Sequence, residues 1–373
     1  MPGLIKRWVK CVFSMLSIML GRGPDLTYLE TVGNTPLVRL DRIIPSAVKA
    51  NGARILAKME MQNPGGSVKD RIALAMVKAA IADGTLASNG TIVEYTSGNT
   101  GIGLAMVGAA MGIKVVVVMP AKAINRERVM ICRMYGAEVH LTDPAKGLKG
   151  LEAHAEMLAE ANPGHVLTRQ FLNPSNPKVH IESTGPEIWR AAGRQGVDFF
   201  VAGVGTGGTA AGVGTYLKRK RKSVKVIAVE PSESRSHLGA ESGGHSITGI
   251  GAGVYTHFIP RVAQGRNESD PYEPRGVIDE FSHASSAEAT EYAKKAAALE
   301  GMMVGPSSGA ALKVAIDVAS RAEAAGKTVV VLLASNAIRY SVHPMWDELR
   351  GEADAAFKRA AATEGLLKTV LKW

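Results

Sequence analysis

From Arg54 to Ser335, short runs rich in β-branched residues alternate with longer alanine-rich stretches, and this alternation limits the fold more than any other feature. The runs are "RILAKMEM", "TIVEYTS", "KVVVVMP", "AEVHLTD", "DFFVAGVG", "KVIAVEP", "GMMVGP" and "TVVVLLAS". Strands separated by helical segments pair in parallel through right-handed crossovers, so the expected class is α/β, with helices on both faces of a twisted sheet. A chain of 373 residues has room for two ordinary domains or one large one. No internal repeat or low-complexity linker interrupts the pattern. The stretch "RNESDPYEPRG" at 266–276 reads as an exposed loop.

Three strands end in glycine- and hydroxyl-rich turns that lead into helices. These are "TSGNTG" from Thr96, "GVGTGGT" from Gly203 and "GPSSGAA" from Gly305. Ligands of open α/β sheets bind beyond the carboxyl ends of the strands, so the three turns can face one crevice. Each offers free backbone N–H groups at a helix N-terminus, which suits an anion. A fourth stretch, "NPGGSVKDRIALAMVKAAI" from Asn63, places Lys69 at the start of an amphipathic helix. The positive end of the helix dipole disfavours a cation there. A lysine with a depressed pKa can form a Schiff base with pyridoxal phosphate while one turn holds the phosphate and another a substrate carboxylate. On position alone, an ordinary surface lysine of the first helical turn is the reading favoured for Lys69.

Charge and composition narrow the choices. The net charge of +10 invites a nucleic-acid reading, with "KRKRK" at Lys218–Lys222 as the densest patch. That run closes a helix, where cations complement the dipole, and it lacks interleaved aromatics, so no nucleic-acid partner is expected. Cys11 and Cys132 are the only cysteines, which excludes a disulfide framework and points to a reducing compartment. No Cys/His cluster has zinc spacing, so no metal is expected.

The first 27 residues stand apart. Leu4, Trp8, Val12, Phe13 and Leu16 share one helical face opposite Lys6, Arg7 and Lys10, and no acid precedes Asp25. This basic amphipathic segment is expected to be a mitochondrial targeting sequence. A secretory signal, a membrane-surface anchor using residues 1–20 and a packing arm on a cytoplasmic protein are the alternatives.

Gly205, Gly207 and Ala210 also fit GxGxxA, and Glu230 follows about where a ribose-binding acid of a dinucleotide fold would lie. An NAD-binding oxidoreductase is therefore a competing reading, although Lys69 has no part in hydride transfer.

The stretches "NPGGSVKDRIA", "TSGNTGIGLA", "QFLNPSNPKVH", "TGPEIW", "GVGTGGTAAGVGTYLK", "GIGAG" and "GPSSGAAL" occur in one order. In that order they resemble the cysteine synthase (O-acetylserine sulfhydrylase) family of fold type II pyridoxal-phosphate enzymes, from Tyr28 to Tyr340. The resemblance implies two domains of tryptophan synthase β-like fold, each with a twisted, mostly parallel sheet flanked by helices. Residues 28–350 form the catalytic unit, with a smaller lobe of about 67–175 inserted into a larger lobe of 28–66 plus 176–345, and 346–373 form a helical tail.

The implied activity is formation of L-cysteine from O-acetyl-L-serine and sulfide. The resemblance makes Lys69 the Schiff-base lysine and general base, and puts Asn99 at the cofactor's ring hydroxyl. It puts Gly205, Thr206, Gly207, Gly208 and Thr209 at the phosphate, and Ser307 at the pyridine nitrogen. Thr96, Ser97, Thr100 and Gln170 resemble the residues that hold the substrate carboxylate, and Gly249 of "GIGAG" falls on the substrate side. A neutral hydroxyl at the ring nitrogen makes a weaker electron sink than an aspartate would, which suits expulsion of a leaving group from Cβ as the α-proton departs.

The resemblance further implies a homodimer and allows serine acetyltransferase as a partner, so a purely regulatory role is a further alternative. Cystathionine β-synthase-like and β-cyanoalanine synthase-like replacements are also alternatives, though the stretch after Tyr340 leaves no room for a regulatory domain pair. The chain departs from the family pattern at Ile124 and Asn125, at the added residues around Tyr255 and His257, and at Pro306 before the serine pair. The first two departures bear on substrate choice. His257 itself reads as a loop residue.

Overall fold

A computed structural model of the protein describes residues 26–122, 126–238, 243–253, 256–259 and 277–370. The N-terminal segment 1–25, Ile124, Asn125, Tyr255 and the expected loop at 266–276 lie outside the described residues.

Two sheets organise the chain. The larger runs in the order β1 (Leu37–Arg39), β2 (Arg54–Met59), β10 (Thr328–Leu333), β7 (Phe199–Gly203), β8 (Lys225–Pro231), β9 (Glu280–Ala284), and only β1 is antiparallel to its neighbour. The smaller is wholly parallel, in the order β5 (Glu138–Thr142), β4 (Lys114–Pro120), β3 (Thr91–Tyr95), β6 (His165–Leu167). The longer helices are α1 (Ser46–Ala50), α2 (Lys69–Ala82), α3 (Asn99–Met111), α4 (Arg126–Met134), α5 (Gly147–Ala161), α6 (Ser175–Val179), α7 (Gly185–Ala192), α8 (Gly208–Lys220), α9 (Ser286–Glu300), α10 (Pro306–Ala319) and α11 (Asp347–Val370).

Both sheets are covered on both faces, which is why their central strands are continuous apolar runs rather than alternating ones. Successive residues of β10 feed opposite cores. Val329, Val331 and Leu333 join Val314 and Val318 of α10, while Val330 and Leu332 join Val213 and Leu217 of α8. In the smaller sheet, Ile92, Val115 and Val117 pack with Ile72 and Met76 of α2 and Leu104 of α3. Val93, Val116 and Val118 face Leu151 and Ala155 of α5. Leu29 and Val32, which the division by sequence places in the larger lobe, pack against the core of the smaller sheet.

Seven of the eight strand runs form strands; "GMMVGP" does not. Gly301 ends α9 in the left-handed conformation and Pro306 opens α10, so only a single bridge from Val304 to Asn336 fits between them. Pro306 sits at the first helical turn, where a missing N–H costs nothing, which explains why this departure is tolerated. Strands β1, β6 and β9 carried no readable period, because they are short, partly exposed edge strands.

The basic run Lys218–Lys222 closes α8. Lys218 pairs with Asp279 at 2.7 Å and Arg221 with Asp198 at 3.1 Å, and the Arg221 guanidinium lies 5.6 Å from the Trp189 ring.

Candidate active site

The turn before α2 is built around glycine. Gly66 has φ +83°, and a side chain there would meet the Arg339 Nε at 2.9 Å. A side chain on Gly65 would meet the buried Asp70 carboxyl at 2.5 Å. Val68 caps the helix, and Lys69 is its first residue, partly exposed as a residue and set in the wall of a cavity. No carboxylate among the described residues pairs with that amine, and burial lowers it to about 8. The depressed pKa expected from the sequence is therefore present, and desolvation of the buried amine lowers it.

The cavity measures about 470 Å³, within the usual size of a small-molecule site. It lies between the two sheets at the carboxyl ends of β3, β7 and β10. The N-termini of α3, α8 and α10 open on it, as do those of α2 and α5. Lys69, Asn99, Gly205, Thr206, Gly207, Thr209 and Ser307 line it, and so do Thr96, Ser97, Thr100, Gln170 and Gly249. Gly208 is the one sequence-expected site residue that does not. It faces away, where a side chain would lie 2.0 Å from Asn176 Oδ1.

The turn at Gly205–Thr209 is shaped for a compact anion. Gly207 caps α8 at φ +83° without a side-chain cap of its own, and the Gly208 N–H donates to Thr206 Oγ1 at 3.4 Å, at a helix start of the kind that suits an anion. Side chains at Gly205 and Gly207 would strike Gly249 O at 2.6 Å and Thr256 Oγ1 at 2.8 Å, so only bare backbone fits. A phosphate group fits this cradle, and the Lys69 amine in the same cavity fits an aldehyde, so the residues present suit pyridoxal phosphate.

On the opposite wall, the Thr100 hydroxyl donates to Gln170 Oε1 at 2.6 Å. Glu94, buried behind them, accepts from the Thr168 hydroxyl at 2.7 Å and from the Gln170 N–H at 3.1 Å. Burial raises Glu94 to about 7 despite those donors. Ser307 is buried on the first turn of α10, beside Gly249. His257 is exposed, as a loop residue should be.

Several site residues were not foreseen. The Asn176 amide donates to Gln170 O at 2.8 Å and to Thr206 Oγ1 at 3.0 Å, joining the Thr100–Gln170 wall to the Gly205–Thr209 turn. His180 lies 3.2 Å from Thr209 Oγ1 and 2.9 Å from Thr184 Oγ1, and burial with the nearby Arg71 lowers it to about 3, so it is neutral. Asn99 is held from both ends, donating to Tyr340 Oη at 2.9 Å and accepting from Arg339 Nη1 at 3.1 Å. Asn176 and His180 lie inside the quoted "QFLNPSNPKVH", a signal that was available. Tyr340 and Arg339 meet Asn99 across some 240 residues, and no local pattern announces that.

The family model for pyridoxal-phosphate dependent enzymes matches residues 28–335. The chain belongs to the pyridoxal-phosphate dependent enzyme family. A cysteine synthase of Staphylococcus aureus is 42% identical over 317 residues, covering 85% of this chain and 96% of that protein. Among solved structures, O-acetyl serine sulfhydrylase isoform 3 from Entamoeba histolytica superposes with a TM-score of 0.78 at 38% identity, covering 87% of this chain and 92% of that one. The O-acetylserine dependent cystathionine beta-synthase from Helicobacter pylori gives 0.76 at 35% identity, covering 87% and 99%. Membership in this pyridoxal-phosphate family removes the dinucleotide reading. The structure supplies the physical reason, since Glu230 is buried and accepts from His237 at 2.7 Å, out of reach of a ribose.

Proposed function

We propose that the protein is a cysteine synthase, forming L-cysteine and acetate from O-acetyl-L-serine and sulfide. The observation that carries this is the convergence of Lys69, the Gly205–Thr209 turn and the Thr96–Thr100 turn on one cavity, in a chain 42% identical to a cysteine synthase. Bound pyridoxal phosphate supplies the electron sink that acidifies the Cα–H bond and lets the acetate on Cβ depart. Gly205, Thr206, Gly207 and Thr209 hold its phosphate, with Gly208 giving the backbone its close approach to Asn176. Asn99 meets the ring hydroxyl, and Ser307 offers the ring nitrogen a neutral hydrogen bond.

Thr96, Ser97 and Thr100, at the N-terminus of α3, and Gln170, bonded to Thr100, take the substrate carboxylate. This points Cα at Lys69, whose amine takes the α-proton as general base. Acetate leaves with the Cβ–O bonding pair, sulfide forms the Cβ–S bond, and Lys69 returns the proton to Cα.

Holoprotein given O-acetylserine is expected to change its visible absorption, and added sulfide to release cysteine. Homocysteine and cyanide run in parallel decide between cysteine synthase and its cystathionine- or cyanoalanine-forming relatives. Product from homocysteine alone would overturn the assignment of nucleophile. No product with any of them, together with tight binding of a serine acetyltransferase tail, would favour a regulatory role.

We also propose that the protein is a homodimer. Trp346 packs on its own core, but Leu349 and Phe357 of α11 remain 48% and 78% exposed, apolar surface suited to a second copy. Sedimentation at micromolar concentration should give twice the chain mass, and a monomer would contradict the proposal.

A further inference from the structure

The cofactor-phosphate turn has a support on its far side that the proposed reaction does not use. Glu230, near the end of β8, accepts from the backbone N–H of His237 at 3.2 Å and from its ring Nδ1 at 2.7 Å. The other ring nitrogen, Nε2, is hydrogen-bonded to Thr256 Oγ1 at 3.1 Å. Phe281 stacks on the imidazole, with ring centroids 5.4 Å apart and planes 17° from parallel. Glu230, His237 and Thr256 are all buried.

The chain ends in contact with the turn itself. Ile259 N–H donates to Thr256 O at 3.2 Å, closing a tight loop. Thr256 Oγ1 and Ile259 Cγ1 then lie 2.8 Å and 2.9 Å from where a Cβ on Gly207 would be. Gly207 needs that support. It is left-handed at φ +83° and lacks a side-chain cap, and glycine leaves such a conformation as readily as it enters it.

We propose that Thr256 and His237 are positioning residues for the phosphate-binding turn: the Glu230–His237–Thr256 chain of hydrogen bonds presses the 256–259 loop onto Gly207 and holds its N–H groups in the orientation that accepts phosphate. The proposal rests on reading Gly205–Thr209 as the phosphate cradle. It separates two kinds of loss, since Thr256→Val keeps the shape and removes the hydroxyl, while Thr256→Ser keeps the hydroxyl.

The test uses full-length protein freed of cofactor, with pyridoxal phosphate and inorganic phosphate titrated separately. Thr256→Val is expected to weaken both about tenfold, the scale of one net hydrogen bond, and to move the phosphorus-31 resonance of the bound cofactor. Thr256→Ser should return both readouts close to wild type. His237→Gln, which breaks the chain one step earlier, should reproduce the valine result and serves in its place should the valine variant not fold. Wild-type binding constants and an unmoved resonance in the folded variants would overturn the proposal. Failure of wild-type protein to bind either ligand would instead overturn the cradle reading beneath it.

Discussion

Replacing Lys69 by alanine is expected to lower turnover by about 10³-fold or more, because one substitution removes both the covalent anchor of the cofactor and the base that takes the α-proton. General-base catalysis alone accounts for roughly 10²- to 10⁴-fold. Borohydride should fix the cofactor on the Lys69 peptide of wild-type protein and on no peptide of the variant, read by mass spectrometry. Lys69→Arg should be no better, since a guanidinium stays protonated and cannot condense with an aldehyde.

The burial that lowers the amine to about 8 adds a pH signature. In protein freed of cofactor, the neutral, reactive amine is scarce below that value and dominant above it, so capture of pyridoxal phosphate should quicken as pH rises to about 8 and then level off. A rate still climbing towards pH 10 would mean that Lys69 behaves as an exposed lysine.

How far the sequence could be read follows from the range of the interactions. Strands such as Val115–Met119 and Thr328–Leu333 are buried on both faces, and burial wrote itself into uninterrupted apolar runs. The three ligand-facing turns were legible because a backbone that must approach an anion needs glycine, and Gly207 cannot carry a side chain. What failed depended on neighbours distant in sequence. Val304 looks like strand until Gly301 and Pro306 are seen to be helix caps on either side. Glu230 looks like a ribose ligand until His237 folds back onto it. The special character of Lys69 was visible at the helix start, but the burial that lowers its amine was not, since that comes from the packing of the whole cavity wall.

Arg71→Ala should be the most destabilising single change near the site. Two residues beyond Lys69, Arg71 reaches Glu60 through Nε and Nη2, both at 2.7 Å, and Glu187 through Nη2 at 2.6 Å. Lys58 completes a balanced set of two cations and two anions, 2.6 Å from the same Glu187 oxygen. These side chains tie α2 to β2 and α7, and all but Glu187 are essentially free of solvent. Removing one partner from a buried pair leaves an uncompensated charge, at a cost of about 3–5 kcal/mol.

Acid should expose the same network. Burial by itself would raise Glu60, but Arg71 overrides it and holds the carboxyl at about 2. A depressed carboxyl contributes stability that is complete above its unfolded pKa and is lost as pH falls from about 4.5 towards 2; here that is worth about 3 kcal/mol. Without Arg71 the sign reverses. Burial then dominates, Glu60 titrates high, and the variant should regain stability relative to wild type as pH drops from 7 to 5. Urea midpoints across that range decide the matter. A variant that loses less than about 1 kcal/mol at pH 7, or that keeps the wild-type dependence on acid, would show that the network contributes no more than a surface pair.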